Sequence, residues 1–510
     1  MPEILDSLLL ALTNFASWTT LACLVVGLVI GILIGVIPGL GPLAGISLAI
    51  PFTFYLDPVA GMAVLIGIYH GGSYGGALTA CLIGVPGTPI AAATMLDGHP
   101  MTLAGRGSEA ATLSTLASVV GAIIGAVVLI AVSQPLASLA LRIGPVEICA
   151  LSLLGLTAIG SVTEGSVLKG VLAGVAGLAI ATIGDDPLTG FGRFDFGISA
   201  LQGGINLVVV MMGIFGIAEV ITMLERGVSG QTIVDRVRPS WAAVRYFATK
   251  SGAVLRASGI GIVIGAIPGV GAVTSAYLAY AVAKASSRDP DSFGKGNPDG
   301  VIATETANSA TVGGAILPML AIGIPGEPIV AALMAGLMIH GLAPGPLLFA
   351  TNPDVVSGIY VAVLVGAVLM LPIAFLGLPL FLLALKVPRS LLAAAVFLLC
   401  IAGVYALVSS LADLWVMLFF GAVGYLMRRF QFPVSPLILG LVLGPIFEAN
   451  LRRTVVMGGD HLIGYVAGRP IALVVLGLCL AAITWNVVVA LRSGRSAPGA
   501  LVRETDSRPG

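Results

Sequence analysis

The segment Gly35-Val-Ile-Pro-Gly-Leu-Gly41 interrupts a long apolar run, and it returns 230 residues later as Gly265-Ala-Ile-Pro-Gly-Val-Gly271. Proline removes a backbone donor, and glycine adopts backbone angles that other residues avoid. Each copy therefore predicts an interrupted helix with free backbone N–H and C=O groups.

A second pair of motifs follows the first pair in the same order. Gly75-Gly-Ala-Leu and Gly84-Val-Pro-Gly-Thr-Pro89 return as Gly313-Gly-Ala-Ile and Gly323-Ile-Pro-Gly-Glu-Pro328, at offsets of 238 and 239 residues. Two ordered motifs at nearly constant spacing indicate an internal duplication. Paired interruptions in the two halves of a hydrophobic chain are typical of secondary transporters.

The amino-acid composition indicates that these segments lie in a lipid bilayer and not in water. Of the 510 residues, 58% are hydrophobic and only 9% are charged, and the mean hydropathy is +1.08. Soluble domains carry about 25% charged residues, and about 20 apolar residues span a bilayer as a helix. We predict an all-α integral membrane protein: a polytopic helical bundle with two repeats and with broken or re-entrant helices at the Pro-Gly motifs. The number of crossings stays open.

Charge distribution suggests the organisation and topology. The stretch 225–256 carries six basic and two acidic residues, which favours the cytoplasmic side, whereas the amino-terminal tail is acidic. We therefore expect a first transmembrane repeat over 1–224, a basic cytoplasmic linker over 225–256, a second repeat with additional helices over 257–491, and a cytoplasmic tail over 492–510. With these orientations the repeats would be inverted in the membrane.

The four Pro-Gly breaks and the small polar residues near them form the candidate substrate site. Half-helix amino termini suit carboxylates, and freed carbonyls suit Na⁺. The alternative is that the breaks are hinges or close-packing positions that touch no ligand. The candidate substrate-binding residues are Pro38, Gly39, Gly41, Ser73, Tyr74, Gly87, Thr88, Gly269, Gly271, Asn308, Ser309 and Gly326.

Acidic residues near the breaks are candidates for cation coupling. Glu305 precedes Asn308 by one helical turn, and we assign ion coupling to this pair together with Thr311. Asp97, in Leu96-Asp-Gly-His-Pro100, resembles a loop turn. Glu327 would repel an anion if it were ionised in the cavity, so it points away, is protonated or helps to bind the cation.

The sequence contains no pattern of residues that predicts catalysis of a chemical reaction. The cysteines and histidines are dispersed, with no metal-ligand spacing and no nucleophile–base arrangement. We expect no enzyme activity, no bound metal or cofactor, and no nucleic-acid partner; the only ion expected is a transported Na⁺ or H⁺.

Several ordered motifs resemble the TctA family, the large membrane subunit of tripartite tricarboxylate transporters. They are Ile37-Pro-Gly-Leu-Gly-Pro42, Tyr74-Gly-Gly-Ala77, Val85-Pro-Gly87, Thr94-Met-Leu-Asp-Gly98, Phe293-Gly-Lys-Gly-Asn-Pro-Asp-Gly300, Glu305-Thr-Ala-Asn308, Gly313-Gly-Ala-Ile-Leu-Pro318, Gly323-Ile-Pro-Gly326 and His340-Gly-Leu-Ala-Pro-Gly345. The chain departs from the pattern at Ser309 and Glu327, where relatives are expected to carry Asn or Ala and a small residue.

The resemblance implies a carrier in the bacterial inner membrane. Its expected partners are a small four-helix membrane subunit and a periplasmic solute-binding protein, and its expected cargo is citrate or a related carboxylate driven by a Na⁺ or H⁺ gradient. The alternatives are a receptor-independent carrier for another solute and, from other classes, a channel or a membrane-embedded enzyme.

Overall fold

The computed structural model describes residues 17–141, 143–162, 167–186, 190–197, 199–226 and 237–493. The first helices are α1 (Trp18–Val36), α2 (Gly41–Thr53), α3 (Pro58–Ile83), α4 (Ala91–Leu103), α5 (Gly107–Ala140), α6 (Pro145–Val162) and α7 (Val167–Ala181). A short antiparallel hairpin of β1 (Gly184–Asp185) and β2 (Gly192–Arg193) follows.

The middle of the chain is again helical. It comprises α8 (Ser199–Gln202), α9 (Leu207–Met211), a π-helical segment (Met212–Ile217), α10 (Ala218–Arg226), α11 (Trp241–Ala248), α12 (Ser251–Ala266), α13 (Gly271–Ala285), a 3₁₀ turn (Pro290–Ser292), α14 (Pro298–Ile322) and α15 (Pro328–Ile339).

The remaining elements complete the bundle. They are α16 (Leu348–Thr351), α17 (Pro353–Leu383), a 3₁₀ turn (Ala384–Lys386), α18 (Arg389–Val408), α19 (Leu411–Arg429), α20 (Val434–Gly458), a 3₁₀ turn (Gly459–His461), α21 (Leu462–Ala467) and α22 (Pro470–Ser493).

Seven helices among the described residues are long and apolar enough to cross a bilayer. An eighth would be added if α11 and α12, which meet at 77°, form one broken span. The prediction of an all-α polytopic membrane protein is confirmed.

All four predicted interruptions separate helices in the structure. Pro38-Gly39 lies between α1 and α2, Pro86-Gly87 between α3 and α4, Pro268-Gly269 between α12 and α13, and Pro325-Gly326 between α14 and α15. Gly39 and Gly269 have φ of +102° and +85°, a region that favours glycine. Backbone chemistry local to each motif thus determines where the helices stop.

Helices α1 and α2 form a hairpin against α3. Glycines of α1 meet the backbone of α3 in the same order along both helices, so α1 and α3 run parallel. The pairs are Gly27 with Val64, Gly31 with Ile68, and Gly35 with Gly72. Along α2 the order is reversed: Pro42 lies at Gly72 and Gly45 lies at Ile68. The tip at Pro38-Gly39 therefore lies beside the second half of α3.

The second half of the chain repeats this packing. Helix α12 runs parallel to α14, with Gly261 against Ala307 and Gly265 against Thr311. In both halves only small residues allow such close approach of two backbones.

A segment after each long helix returns to the tip of the hairpin. Gly87 N–H donates to Gly76 O (3.3 Å), and Gly326 N–H donates to Ala315 O (3.4 Å). Gly87 and Gly326 also lie directly against the carbonyls of Gly35 and Gly265. Each half therefore brings its two breaks together.

Helices α3 and α14 run in opposite directions. Tyr69, in the first half of α3, contacts Glu327, which follows the end of α14. Thr94, on the helix that follows α3, contacts Thr304 near the start of α14 (3.0 Å). Inverted repeats would produce this arrangement, but inversion across the membrane stays a prediction, as do the domain limits. Residues 1–16, 227–236 and 494–510, which include parts of the expected tails and linker, lie outside the described residues.

Candidate functional site

Glu305 is the central acidic group of the site. Helix α14 is buried from Gly300 to Ala321, and Glu305 is fully enclosed. Its carboxylate accepts hydrogen bonds from the hydroxyl groups of Thr94 on α4 and Ser118 on α5 (3.0 Å to Ser118). No cationic side chain of the described residues acts on this carboxylate. A buried carboxylate held by hydroxyls alone is suited to a proton or a metal cation.

Polar side chains of α3 and α5 lie close to this carboxylate. Tyr74 is near enough to Glu305 to interact with its charge, and its hydroxyl pairs with Thr115 Oγ1 (2.9 Å). The Asn308 amide lies beside Glu305 one turn further along α14, but its atoms complete no hydrogen bond of ordinary geometry within the described chain. The predicted neighbours Glu305 and Asn308 thus share one side of the helix.

Several buried polar atoms around these helices have no partner in the described part of the chain. A buried donor or acceptor left without a partner costs about 1–3 kcal/mol. A polar solute or water could satisfy such atoms. The atoms are His70 Nε2, Ser73 Oγ, Ser114 Oγ, Thr306 Oγ1, and both polar atoms of the Asn308 amide.

The second hairpin tip contains a bound carboxylate from the chain itself. Glu327 is 3% exposed and immediately precedes α15. One carboxylate oxygen accepts the backbone N–H of Ala272 at the start of α13 (2.8 Å), and the other accepts the Tyr69 hydroxyl. Glu327 is thus held by two donors of the chain itself, and the three roles expected for it all stay predictions.

The first hairpin tip also meets a carboxylate, which the sequence did not single out. Glu219 on α10 touches Gly39 so closely that a Cβ there would lie 2.2 Å from Oε1. Arg428 at the end of α19 pairs with the other oxygen of Glu219. The available signal was a lone acidic residue inside the apolar run 205–224, since ionisable residues within membrane spans are rare and often functional.

The predicted substrate-binding residues fall into three groups in space. Around the first tip are Pro38, Gly39, Gly41, Gly87 and Thr88; around the second are Gly269, Gly271 and Gly326; and on the buried middles of α3 and α14 are Ser73, Tyr74, Asn308 and Ser309.

The hydrogen bonds of Thr311 place its side chain on a different side of α14 from that of Glu305. Its hydroxyl bonds to Ser275 Oγ (2.8 Å), Gly261 O (3.2 Å) and Ala307 O (2.8 Å). It therefore faces α12 and α13, whereas Glu305 faces α4 and α5.

The expectation that Asp97 lies in a loop turn is wrong. Asp97 lies inside α4 and is fully buried. One oxygen accepts the backbone N–H groups of Gly294, Gly296 and Asn297 (2.8–2.9 Å), and the other accepts the Tyr280 hydroxyl (2.9 Å). A buried carboxylate with four donors is stable without a counter-charge, so Asp97 anchors this loop instead of turning the chain.

Two cavities stand out in the described residues, and neither is lined by the Pro-Gly breaks. The larger, about 360 Å³, lies between the β-hairpin and the end of α20 and is lined by charged residues including Arg193 and Glu448. The smaller, about 120 Å³, lies beside α12 and α13 near Lys250 and Asp299.

The fold and the site define a polytopic membrane protein with broken helices and with buried carboxylates held by hydroxyl groups. Residues 21–439 match the tripartite tricarboxylate transporter TctA family, and the chain belongs to that family.

Two curated relatives come from Agrobacterium vitis. The chain is 34% identical over 455 residues to the "Uncharacterized 52.8 kDa protein in TAR-I ttuC' 3'region", which covers 89% of this chain and 90% of the relative. It is 30% identical over 235 residues to the "Uncharacterized protein in TAR-II ttuC' 3'region", or 46% of this chain and 97% of that relative. No solved structure matches.

Proposed function

We propose that this chain is the large transmembrane subunit of a receptor-dependent secondary transporter, which takes up a tricarboxylate or a related citrate-like carboxylate by cation symport. It would work in the bacterial inner membrane with a small four-helix subunit and a periplasmic solute-binding protein. Membership of a tripartite transporter family supports these partners. The chain itself would perform no bond-breaking chemistry.

The coupling mechanism rests on the surroundings of the buried Glu305 carboxylate. Removing an ionised carboxylate from water is costly unless a partner compensates its charge. Thr94 and Ser118 provide hydrogen bonds but no positive charge. We therefore infer that Glu305, with Asn308, binds the coupling ion, either a proton on the carboxylate or Na⁺ with the hydroxyl oxygens as additional ligands.

Contacts between the two halves suggest how access would alternate. Glu305 belongs to the second half, while Thr94 and Ser118 belong to the first; Glu327 and Tyr69 likewise join the two halves. Movement of one half against the other would break both sets of contacts. Solute and cation that bind one arrangement more tightly would then drive the transition.

The test is uptake into proteoliposomes that contain this chain and its small partner, with the receptor outside and Na⁺ and H⁺ gradients applied separately. Accumulation of one acid from a panel of radiolabelled tri- and dicarboxylates is expected under one gradient. The variant Glu305→Gln should lose gradient-driven accumulation but retain exchange of labelled for unlabelled acid, whereas Glu305→Asp should retain part of the coupling. Unchanged accumulation by Glu305→Gln would refute the assignment of coupling to Glu305.

A further inference from the structure

The two hairpin tips are built alike but differ at one position. Thr88 follows the second break of the first half, and Glu327 follows the second break of the second half. Each lies beside the glycine that begins the second helix of its hairpin. A Cβ on Gly41 would lie 3.5 Å from the Thr88 methyl, and a Cβ on Gly271 would lie 3.0 Å from Glu327 Oε2.

Glu327 occupies the position at the start of α13 that an external carboxylate would favour. Helix α13 has 15 residues, and its amino terminus attracts negative charge through free N–H groups. One of these groups, Ala272 N–H, already donates to Glu327, and the Tyr69 hydroxyl holds the other oxygen. The chain thus binds its own carboxylate there.

The first tip does not reproduce this arrangement. The residue at the matching offset of 230 is Pro42, which has no N–H to donate. Thr88 also brings no charge. The two tips therefore differ at two matching positions. The second half has the carboxylate of Glu327 and the N–H of Ala272 that binds it, whereas the first half has the hydroxyl of Thr88 and no N–H at Pro42.

A buried polar side chain without a partner in the described part of the chain lies near Tyr69, the residue that holds one oxygen of Glu327. Ser73 lies one turn beyond Tyr69 on the same face of α3, and it is 2% exposed. Its hydroxyl has no partner among the described residues. A polar solute bound by the Ser73 hydroxyl would lie one helical turn from Tyr69, which holds the Glu327 carboxylate.

We propose that Glu327 is a tethered carboxylate that fills one acid-binding position of the translocation site, and so limits the number of carboxylate groups on the solute. This inference rests on the proposed transport of carboxylates. An additional carboxylate on the solute meets both an occupied helix terminus and a like charge at this tip.

The experiment compares the acid preference of four proteins in the proteoliposome assay. Competition for uptake is measured with mono-, di- and tricarboxylates for the wild type, Glu327→Thr, Glu327→Gln and Tyr69→Phe. Glu327→Thr copies the first tip and should shift preference toward the acid with one more carboxylate by about tenfold, the value of one charge-assisted hydrogen bond. Glu327→Gln removes the charge but fills the space, so it should shift preference in the same direction by less.

Tyr69→Phe is the matched control because it removes a contact to the same carboxylate but keeps the charge. It should leave the order of preference unchanged. If all acids lose uptake equally in both Glu327 variants while the wild type transports, Glu327 is only structural and this inference fails alone. If the wild type accumulates no carboxylate under either gradient, the proposed function fails, and this inference falls with it.

Discussion

Replacement of Gly87 by alanine tests whether the second break of the first half is a close-packing position. The added Cβ would lie 2.0 Å from Gly35 O and 2.8 Å from the Cα of Gly76. Ordinary contacts begin at 3.4 Å, so the backbone must separate by roughly 1.4 Å along the shorter contact. Overpacking of this kind costs about 1–3 kcal/mol, and we expect the upper end because both neighbours are backbone atoms, which cannot change rotamer.

The assay is the midpoint of unfolding by SDS in detergent micelles, followed by circular dichroism. Gly326→Ala in the second half should behave in the same way, because its Cβ would lie 2.3 Å from Gly265 O. Gly259→Ala is the matched control: it lies in α12 with nothing within 4 Å of the added Cβ, and it should leave stability unchanged or raise it by up to about 1 kcal/mol, because alanine favours a helix over glycine. If Gly87→Ala unfolds at the same midpoint as Gly259→Ala, the packing explanation is wrong, and the repeated spacing of the breaks in the two halves would have to reflect ligand contact alone.

Two further predictions follow from the buried carboxylates. Asp97→Asn should weaken the hydrogen bonds to the backbone of the 294–297 loop by about 1.5–3 kcal/mol in total, because charged acceptors bond more strongly than neutral ones. Limited proteolysis should then cleave this loop sooner than in the wild type. An unchanged cleavage rate would show that Asp97 does not anchor the loop. Arg428→Gln should destabilise the protein by about 3 kcal/mol, because it leaves the buried Glu219 carboxylate without its counter-charge. The double variant with Glu219→Gln should recover much of that loss; no recovery would show that the pair is not coupled.

The sequence predicted the breaks well because their cause is local. A proline cannot donate within a helix, and glycine permits the positive φ that Gly39 and Gly269 adopt. The same argument explains why helices end near these motifs in both halves. It gives no information about which helices then meet, because that depends on contacts between residues far apart in the chain.

Side-chain partners across the two halves could not be predicted for this reason. The contact of Tyr69 with Glu327 joins residues 258 positions apart, and the contact of Thr94 with Glu305 joins residues 211 positions apart. For Asp97 the sequence did allow a prediction, but the local rule on which it relied gave the wrong result. A Leu-Asp-Gly-His-Pro sequence is typical of a turn, but burial against a distant loop keeps Asp97 inside α4.

The two tips differ in charge, and this difference suggests where anion and cation would bind. At the first tip the Glu219 carboxylate is neutralised by Arg428. At the second tip Glu327 is held by a helix terminus and a hydroxyl, with no salt bridge among the described residues. A carboxylate solute therefore meets less repulsion at the first tip, while a cation gains more at the second and at Glu305. Binding of the anion and the cation together would lower the net charge of the buried site. Symport requires a site that is stable only when both solute and cation are bound or both are absent.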